Sequence, residues 1–564
     1  MEAMRSLQRS AKENCLSTTF MPVHGDQIFS SYVRFSGKST SSSLVFDVET
    51  SAYNSRIMRY VKGSYLYVAA AMLLTSAYAQ TNKQMHTDSG DLIGTTSGGV
   101  RIFLGVPYAT APIGPLRWQL PQPVVSSSKP LAADKLGPAC IQELSRSRLP
   151  WTEEFMVQNA DSEDCLNVNV WAPATGRAHA VLVFLHGGGF TEGSNGIATY
   201  DGTSLAKRGI VVVTVNYRLG MFGFFANSEL RKESPDHSAG DYGLADTVAA
   251  LRWVQRNIAA FGGDPTRVAL AGQSAGAAAV VDLLASPQAK GLFQRAIVDS
   301  SGVWPASQST ELSATIADGD NWTAAHGGSL AALRALPAEE ILKTKDAAAD
   351  LRRPSVGTPV FPIQPGTAIQ TGAGSDVPVI MGWVAGDGVP RSFLSAEQFR
   401  ADAVKKYGDR SEHFLTLYPV TDDATAKASQ LAAAHDRNFA VSSIWAEAWR
   451  AHQRSPVYLY YVTRVPSWPA HPEFGMHHTG ELPYFFGTLD KTTTRSYDAD
   501  DRAISEAAQE SWVHFAETGN PGAPWKPAST GEGPWTIINK PLTCQQELDA
   551  ARVAFWREVL LSKP

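Results

Sequence analysis

Ser274 stands in Gly272-Gln273-Ser274-Ala275-Gly276, between an apolar run that begins near Arg267 and an alanine-rich run that follows. A serine hydroxyl becomes a nucleophile when a base takes its proton, and the base works when a carboxylate holds it in one tautomer. The flanking glycines let a strand turn sharply into a helix and lift the serine to the tip of the turn, so the pentapeptide reads as a nucleophile elbow. Taken alone the match is weak, because a Gly-x-Ser-x-Gly arises by chance in about one of every few chains of this length, and a glycine-rich turn is the plainer reading. The strand-to-helix setting is what strengthens it. Upstream, His186-Gly187-Gly188-Gly189-Phe190 follows the apolar run 181–185. Three successive glycines leave backbone amides unshielded and able to face a developing oxyanion. Downstream, Asp387 lies in Ala385-Gly386-Asp387-Gly388, after the apolar run 377–383. That is where a parallel sheet places a catalytic carboxylate, with an ordinary turn aspartate as the alternative. Two adjacent histidines, His477 and His478, follow the strand-like run 457–463, and either could be the base.

These groups need a scaffold that brings strand ends together. The apolar runs at 181–185, 210–215 and 377–383, with the elbow strand from Arg267 and the next strand at 295–300, fit parallel strands buried in a sheet. Between them, 243–261 has helical spacing of Leu244, Val248, Leu251, Val254 and Ile258, stopped by Gly262-Gly263-Asp264-Pro265. The alanine-rich stretch 307–354 reads as amphipathic helices outside the sheet. From about Thr87, alternation with Gly-Gly turns suggests short antiparallel strands at a sheet edge.

The bulk composition narrows the function classes. Of the 564 residues, 18% are charged and the formal net charge is -5, with no basic stripe to suit nucleic acid. Four cysteines without Cys-x-x-Cys, and no His-Glu-x-x-His, disfavour a metal enzyme. Residues 1–57 are rich in serine and threonine and read as a disordered extension or a mis-assigned start. Residues 58–79 read as a secretory signal, with Arg59 and Lys62 before an apolar run too short to span a bilayer and Ala77-Tyr78-Ala79 as the cleavage pattern. A catalytic domain over 80–564 would then act in a secreted or periplasmic setting, with no stable membrane insertion. In an oxidising compartment Cys140 and Cys165 are natural partners, against the plainer reading of two unrelated buried thiols. Cys544 has no evident partner.

Taken together, GVPYATAPIGPLRW, SEDCLNVNVW, VLVFLHGGGF, NYRLGMFGF, GQSAG and HHTGELPYFFG resemble the type-B carboxylesterase family, which includes cholinesterases and para-nitrobenzyl esterases. The resemblance runs from about Thr87 nearly to the C-terminus. It implies an α/β-hydrolase fold, with a large, mostly parallel central sheet flanked by helices, and hydrolysis of small-molecule esters through an acyl-enzyme without a cofactor or metal. Ser274 would be the nucleophile and Asp387 the acid, where the family usually has glutamate. That carboxylate is shorter by a methylene, so its loop must come closer to the histidine. The family's His-x-x-Glu pattern fits His478 and Glu481 and so selects His478 as base, leaving His477 as a supporting or merely solvated neighbour. The amides of Gly188, Gly189 and Ala275 would form the oxyanion hole. The resemblance also implies a Cys140–Cys165 disulfide around a loop at the site's mouth and two structural ion pairs, Arg117–Glu163 and Arg218–Asp246. Gln273, Trp304 and Phe190 are candidate substrate contacts, and Trp151 and Phe155 could line the entrance. Cholinesterases carry glutamate before the nucleophile, so neutral Gln273 argues against choline esters. An esterase-like binding protein and an amide or thioester hydrolase using the same groups are the alternative readings. The oligomeric state is left open.

Overall fold

The computed structural model describes residues 84–344, 347–390, 392–528, 533–540, 542–545 and 549–562. The expected extension and signal segment, and the side chain of Cys544, lie outside the described residues. The described chain falls within one compact unit, Thr75–Pro564.

Its centre is an eleven-stranded sheet, numbered here in chain order: β1 Thr95–Ser97, β2 Val100–Pro107, β3 Asn167–Pro173, β4 His179–Leu185, β5 Val211–Val215, β6 Gly263–Gln273, β7 Arg295–Asp299, β8 Val379–Val384, β9 Val457–Val462, β10 Trp535–Ile538 and β11 Thr543–Gln545. Across the sheet they run β11-β10-β9-β8-β7-β6-β4-β5-β3-β2-β1. From β5 to β10 neighbours pair in parallel. The strands at both edges pair antiparallel. This is the large mixed sheet expected of an α/β-hydrolase fold. The parallel strands are buried over most of their length, β5, β8 and β9 without exception. Such strands must be apolar on both faces, which is why they stand out as unbroken valine, leucine and isoleucine runs.

Two expectations shift in detail. The early alternating segment contributes only β1 and β2 to the main sheet. Gln84–Thr87 and Gly90–Ile93 instead join Ser127–Ala132 in a separate three-stranded sheet. The stretch 307–354 is largely helical as expected, but Thr310–Glu311 within it forms a short strand that pairs with Ser355–Val356. Three helices matter for the site: α1 Tyr242–Asn257, α2 Ala275–Leu284 and α3 Asp423–His452. No helix among the described residues is long and apolar enough to cross a membrane.

The parallel strands all end toward one edge of the sheet. The glycine loop follows β4, Ser274 follows β6, Asp299 closes β7 and Asp387 lies three residues beyond β8. Ligands in open α/β sheets bind outside the carboxyl ends of the strands, so this topology gathers the candidate groups without any local sequence proximity.

Candidate active site

At the end of β6 the chain reverses into α2 through Ser274, whose φ of 57° and ψ of −121° lie where side chains are strained. The turn closes only because its neighbours lack a Cβ. A Cβ on Gly272 would come within 2.3 Å of the Gly276 backbone, and one on Gly276 within 2.1 Å of the Leu185 carbonyl oxygen. The Ser274 amide donates to the Asp299 carbonyl at 2.8 Å, which ties the turn to β7.

The loop after β4 is packed against this turn. A Cβ on Gly187 would meet Gln273 Oε1 at 2.7 Å and Ser274 Cβ at 3.0 Å, while one on Gly188 would strike the Glu192 carbonyl at 1.9 Å. Among the described residues the amides of Gly188, Gly189 and Ala275 donate to no carbonyl or side chain. His186, by contrast, belongs to the scaffold. Its Nδ1–H donates to the Gly187 carbonyl at 2.8 Å, its ring stacks on Tyr217, and burial pushes its pKa down to about 4, so it stays neutral.

Asp387 and His478 meet as expected. Nδ1 of His478 lies 2.6 Å from Oδ1 of Asp387. The other carboxylate oxygen accepts the Val384 amide at 2.9 Å, and the Asp387 carbonyl accepts Asn438 Nδ2 at 3.1 Å, so the acid has little freedom. The Asp387 loop packs directly against the segment that carries His478. The Gly386 amide donates to the Met476 carbonyl at 2.8 Å, and a Cβ on Gly386 would sit 2.4 Å from that oxygen. Burial alone would lower the His478 pKa. The charge and hydrogen bond of Asp387 outweigh it and hold the imidazole above its ordinary value.

With Nδ1 donating to Asp387, Nε2 of His478 presents a lone pair. The nearest donor is Nε2 of Gln273 at 3.3 Å. Ser274 and His478 line the same cavity, yet no hydrogen bond joins them in this structure. Loose geometry at such a pair is common in unliganded hydrolases, which tighten when substrate binds.

His477 is not a solvated bystander. It is 5% exposed, receives a 2.7 Å hydrogen bond on Nε2 from Arg495, and donates from Nδ1 to the His478 carbonyl at 2.8 Å. Burial, together with the Arg495 charge, lowers its pKa to about 4. The supporting alternative is therefore the right one: His477 fixes the backbone that carries His478. Trp151 adds a second anchor, its indole N–H shared between the His478 carbonyl at 3.2 Å and Thr479 Oγ1 at 3.0 Å. Neither tie could be read from local sequence, since the Trp151 contact spans 327 residues.

Cys140 and Cys165 form a disulfide across a separation of 25 residues. The loop between them carries Trp151 and Phe155, which line the cavity. Arg117–Glu163 and Arg218–Asp246 are both present, at 2.6 and 2.7 Å. Closing a loop of this length restricts the unfolded chain, so Cys140→Ala/Cys165→Ala is expected to lower the unfolding free energy by about 3 kcal/mol. Urea denaturation reads this directly; an unchanged midpoint would mean that other contacts hold the loop.

Two cavities flank Ser274. One, of about 300 Å³, has an apolar wall of Trp151, Phe155, Met156 and Ile197 and also contains Gln273 and His478. The other, of about 350 Å³, is bounded by Phe190 and Trp304 but is otherwise rich in polar side chains, including Ser301, Ser307 and Gln308. Gly189, Ser274 and Arg353 line both. All three candidate substrate contacts, Gln273, Trp304 and Phe190, thus border the space around the serine.

Residues 81–556 match the model of the carboxylesterase family. The chain belongs to the carboxylesterase family. This carboxylesterase is 34% identical over 460 residues to the fumonisin B1 esterase of Sphingopyxis macrogoltabida, covering 77% of this chain and 82% of that protein. It is 34% identical over 465 residues to the para-nitrobenzyl esterase of Bacillus subtilis, covering 78% and 91%. A solved PNB esterase superposes with a TM-score of 0.71 at 31% identity, covering 85% of this chain and 99% of that one. The protein is a carboxylic ester hydrolase of α/β-hydrolase fold.

Proposed function

We propose that this carboxylesterase cleaves esters through an acyl-enzyme on Ser274, with His478 as base and Asp387 as its orienting carboxylate. The observation that carries the reading is the 2.6 Å contact between Asp387 and His478, on the wall of the cavity that Ser274 also lines. Ser274 Oγ attacks the ester carbonyl carbon as its proton passes to Nε2 of His478, which Gln273 must release. The oxyanion is received by the unengaged amides of Gly188, Gly189 and Ala275. Collapse breaks the bond to the alcohol oxygen, and His478 returns the proton to that leaving group. Water then repeats the cycle at the acyl carbon, freeing the acid and restoring the serine. The disulfide supports export to an oxidising compartment, in keeping with the leader read in residues 58–79.

The aromatic wall of the first cavity, whose faces are already taken by arginines, favours esters without a cationic arm. An aromatic face can hold a quaternary ammonium, but the Arg148 guanidinium already lies 5.2 Å from the Trp151 ring and Arg495 lies 4.7 Å from Phe155. Gln273 adds no negative charge, and Arg353 stands where the two cavities meet. The names of the relatives, which range from fumonisin B1 esterase to cocaine esterase, do not single out one substrate. The expected result is a kcat/KM for 3,3-dimethylbutyl acetate at least about tenfold above that for its cationic isostere acetylcholine. Higher kcat/KM for acetylcholine would overturn this assignment of the cavity.

A further inference from the structure

Beneath the cavity lie two carboxyl groups that the proposed cycle does not use. Asp299 ends β7 in register with Gln273 of β6, and its carbonyl holds the Ser274 amide. Glu481 follows His478 by three residues. Both have no solvent exposure, and their side chains hydrogen-bond to each other. A hydrogen bond between two carboxyls requires a proton on one of them, because two bare carboxylates in contact repel. The groups acting most strongly on the pair are Asp387, Tyr460 and Ser300, and the pair in turn acts on His478 and Tyr200; none of these is a lysine or arginine that could neutralise a second charge.

The donors around the pair say where the proton sits. Oδ1 of Asp299 accepts from the Tyr460 hydroxyl and from Ser300 Oγ, as suits an ionised carboxylate. Both Glu481 oxygens and Oδ2 of Asp299 meet no N–H or O–H donor among the described residues. A proton held on Glu481 and shared with Asp299 accounts for oxygens that no other donor reaches. Burial, reinforced by the neighbouring carboxylates, pushes the Glu481 carboxyl well above its usual range. The charge left on Asp299 acts on His478 in the direction that stabilises the imidazolium.

We propose that Asp299 and Glu481 are a proton-sharing pair whose single negative charge, held under the nucleophile turn, supports the His478 imidazolium alongside Asp387. Both are positioning residues, since neither reaches substrate. The proposal rests on His478 being the base. Glutamine at 481 can donate an N–H to Asp299 as the acid does, whereas asparagine at 299 removes the charge. A charge that favours the imidazolium raises the histidine pKa, so removing it moves the acidic limb of kcat/KM to lower pH.

The test is the pH profile of para-nitrophenyl butyrate hydrolysis in the full chain. Glu481→Gln should keep the acidic limb where the wild type has it, and Asp299→Asn/Glu481→Gln should move it down by about half a unit or more. Fluorophosphonate labelling of each variant reports that the elbow is intact. A double variant whose limb coincides with the wild type's, or a Glu481→Gln limb shifted as far as the double's, overturns the proposal. Infrared spectroscopy gives an independent reading that needs neither turnover nor the double variant. A protonated-carboxyl carbonyl band present at neutral pH and lost in Glu481→Gln supports the pair, and its absence from the wild type overturns it. Wild-type protein that hydrolysed no ester at any pH would defeat the esterase mechanism itself, leaving the infrared band to decide the pair.

Discussion

Replacing Ser274 by alanine should lower kcat for para-nitrophenyl butyrate by about 10⁵-fold or more, with folding intact. The side chain removed is the only atom that the cycle uses to bond the acyl group. The remaining amides of Gly188, Gly189 and Ala275 can still polarise a carbonyl, so a rate of about 10³-fold over water could survive through attack by solvent. Alanine at this position keeps the strained φ of 57°, and the glycines at 272 and 276 that permit the turn are untouched. Steady-state kinetics on freshly purified variant, with near-ultraviolet circular dichroism to verify the fold, give the answer. A loss of less than about tenfold would remove Ser274 from the chemistry.

The second large effect separates two neighbouring histidines. His478→Ala should cost about 10⁴-fold or more in kcat, because serine then has no base and the leaving group no acid. His477→Ala should cost far less in rate and act mainly on stability. It would leave an Arg495 N–H without its acceptor and the His478 carbonyl without one of its donors, a loss of about 1–3 kcal/mol. Kinetics and urea unfolding on the same two variants distinguish the roles. Were the rate collapse found only in His477→Ala, the base would be misassigned.

The contrast between these histidines also marks what was legible in the chain. The elbow, the glycine loop and the Asp387 loop each sit at the end of an apolar run, and burial on both faces of a parallel sheet makes such runs visible without a structure. Cys140–Cys165 and the two arginine–carboxylate pairs came through the resemblance, residue by residue, and all three are present. What could not be read were contacts set by the fold alone. Arg495 reaches His477, Trp151 reaches the His478 carbonyl, and Asp299 at the end of β7 acts on Glu481 beyond the His478 loop, with no periodicity to announce any of them. The dipeptide alone leaves His477 between two readings for this reason: burial and an arginine partner are not properties of the local sequence. The separate sheet formed by Gln84–Thr87, Gly90–Ile93 and Ser127–Ala132 escaped in the same way, since alternation specifies a strand but not the sheet it joins.

Gln273 changes meaning once placed. In the chain it is a neutral residue before the nucleophile. In the fold it is fully buried, its amide nitrogen faces the Nε2 lone pair of His478, and its oxygen meets no donor among the described residues. In the proposed cycle it occupies the hydrogen-bonding position that Ser274 takes when an ester binds, as well as a place in the cavity wall.

The central claim is that Ser274 is an activated nucleophile, and one measurement meets it directly. Folded protein is treated with a fluorophosphonate, and the modified peptide is located by tandem mass spectrometry. One adduct per chain is expected, on Ser274, lost in Ser274→Ala and strongly slowed in His478→Ala. Folded wild-type protein that takes no adduct, or takes it on another residue, would contradict it.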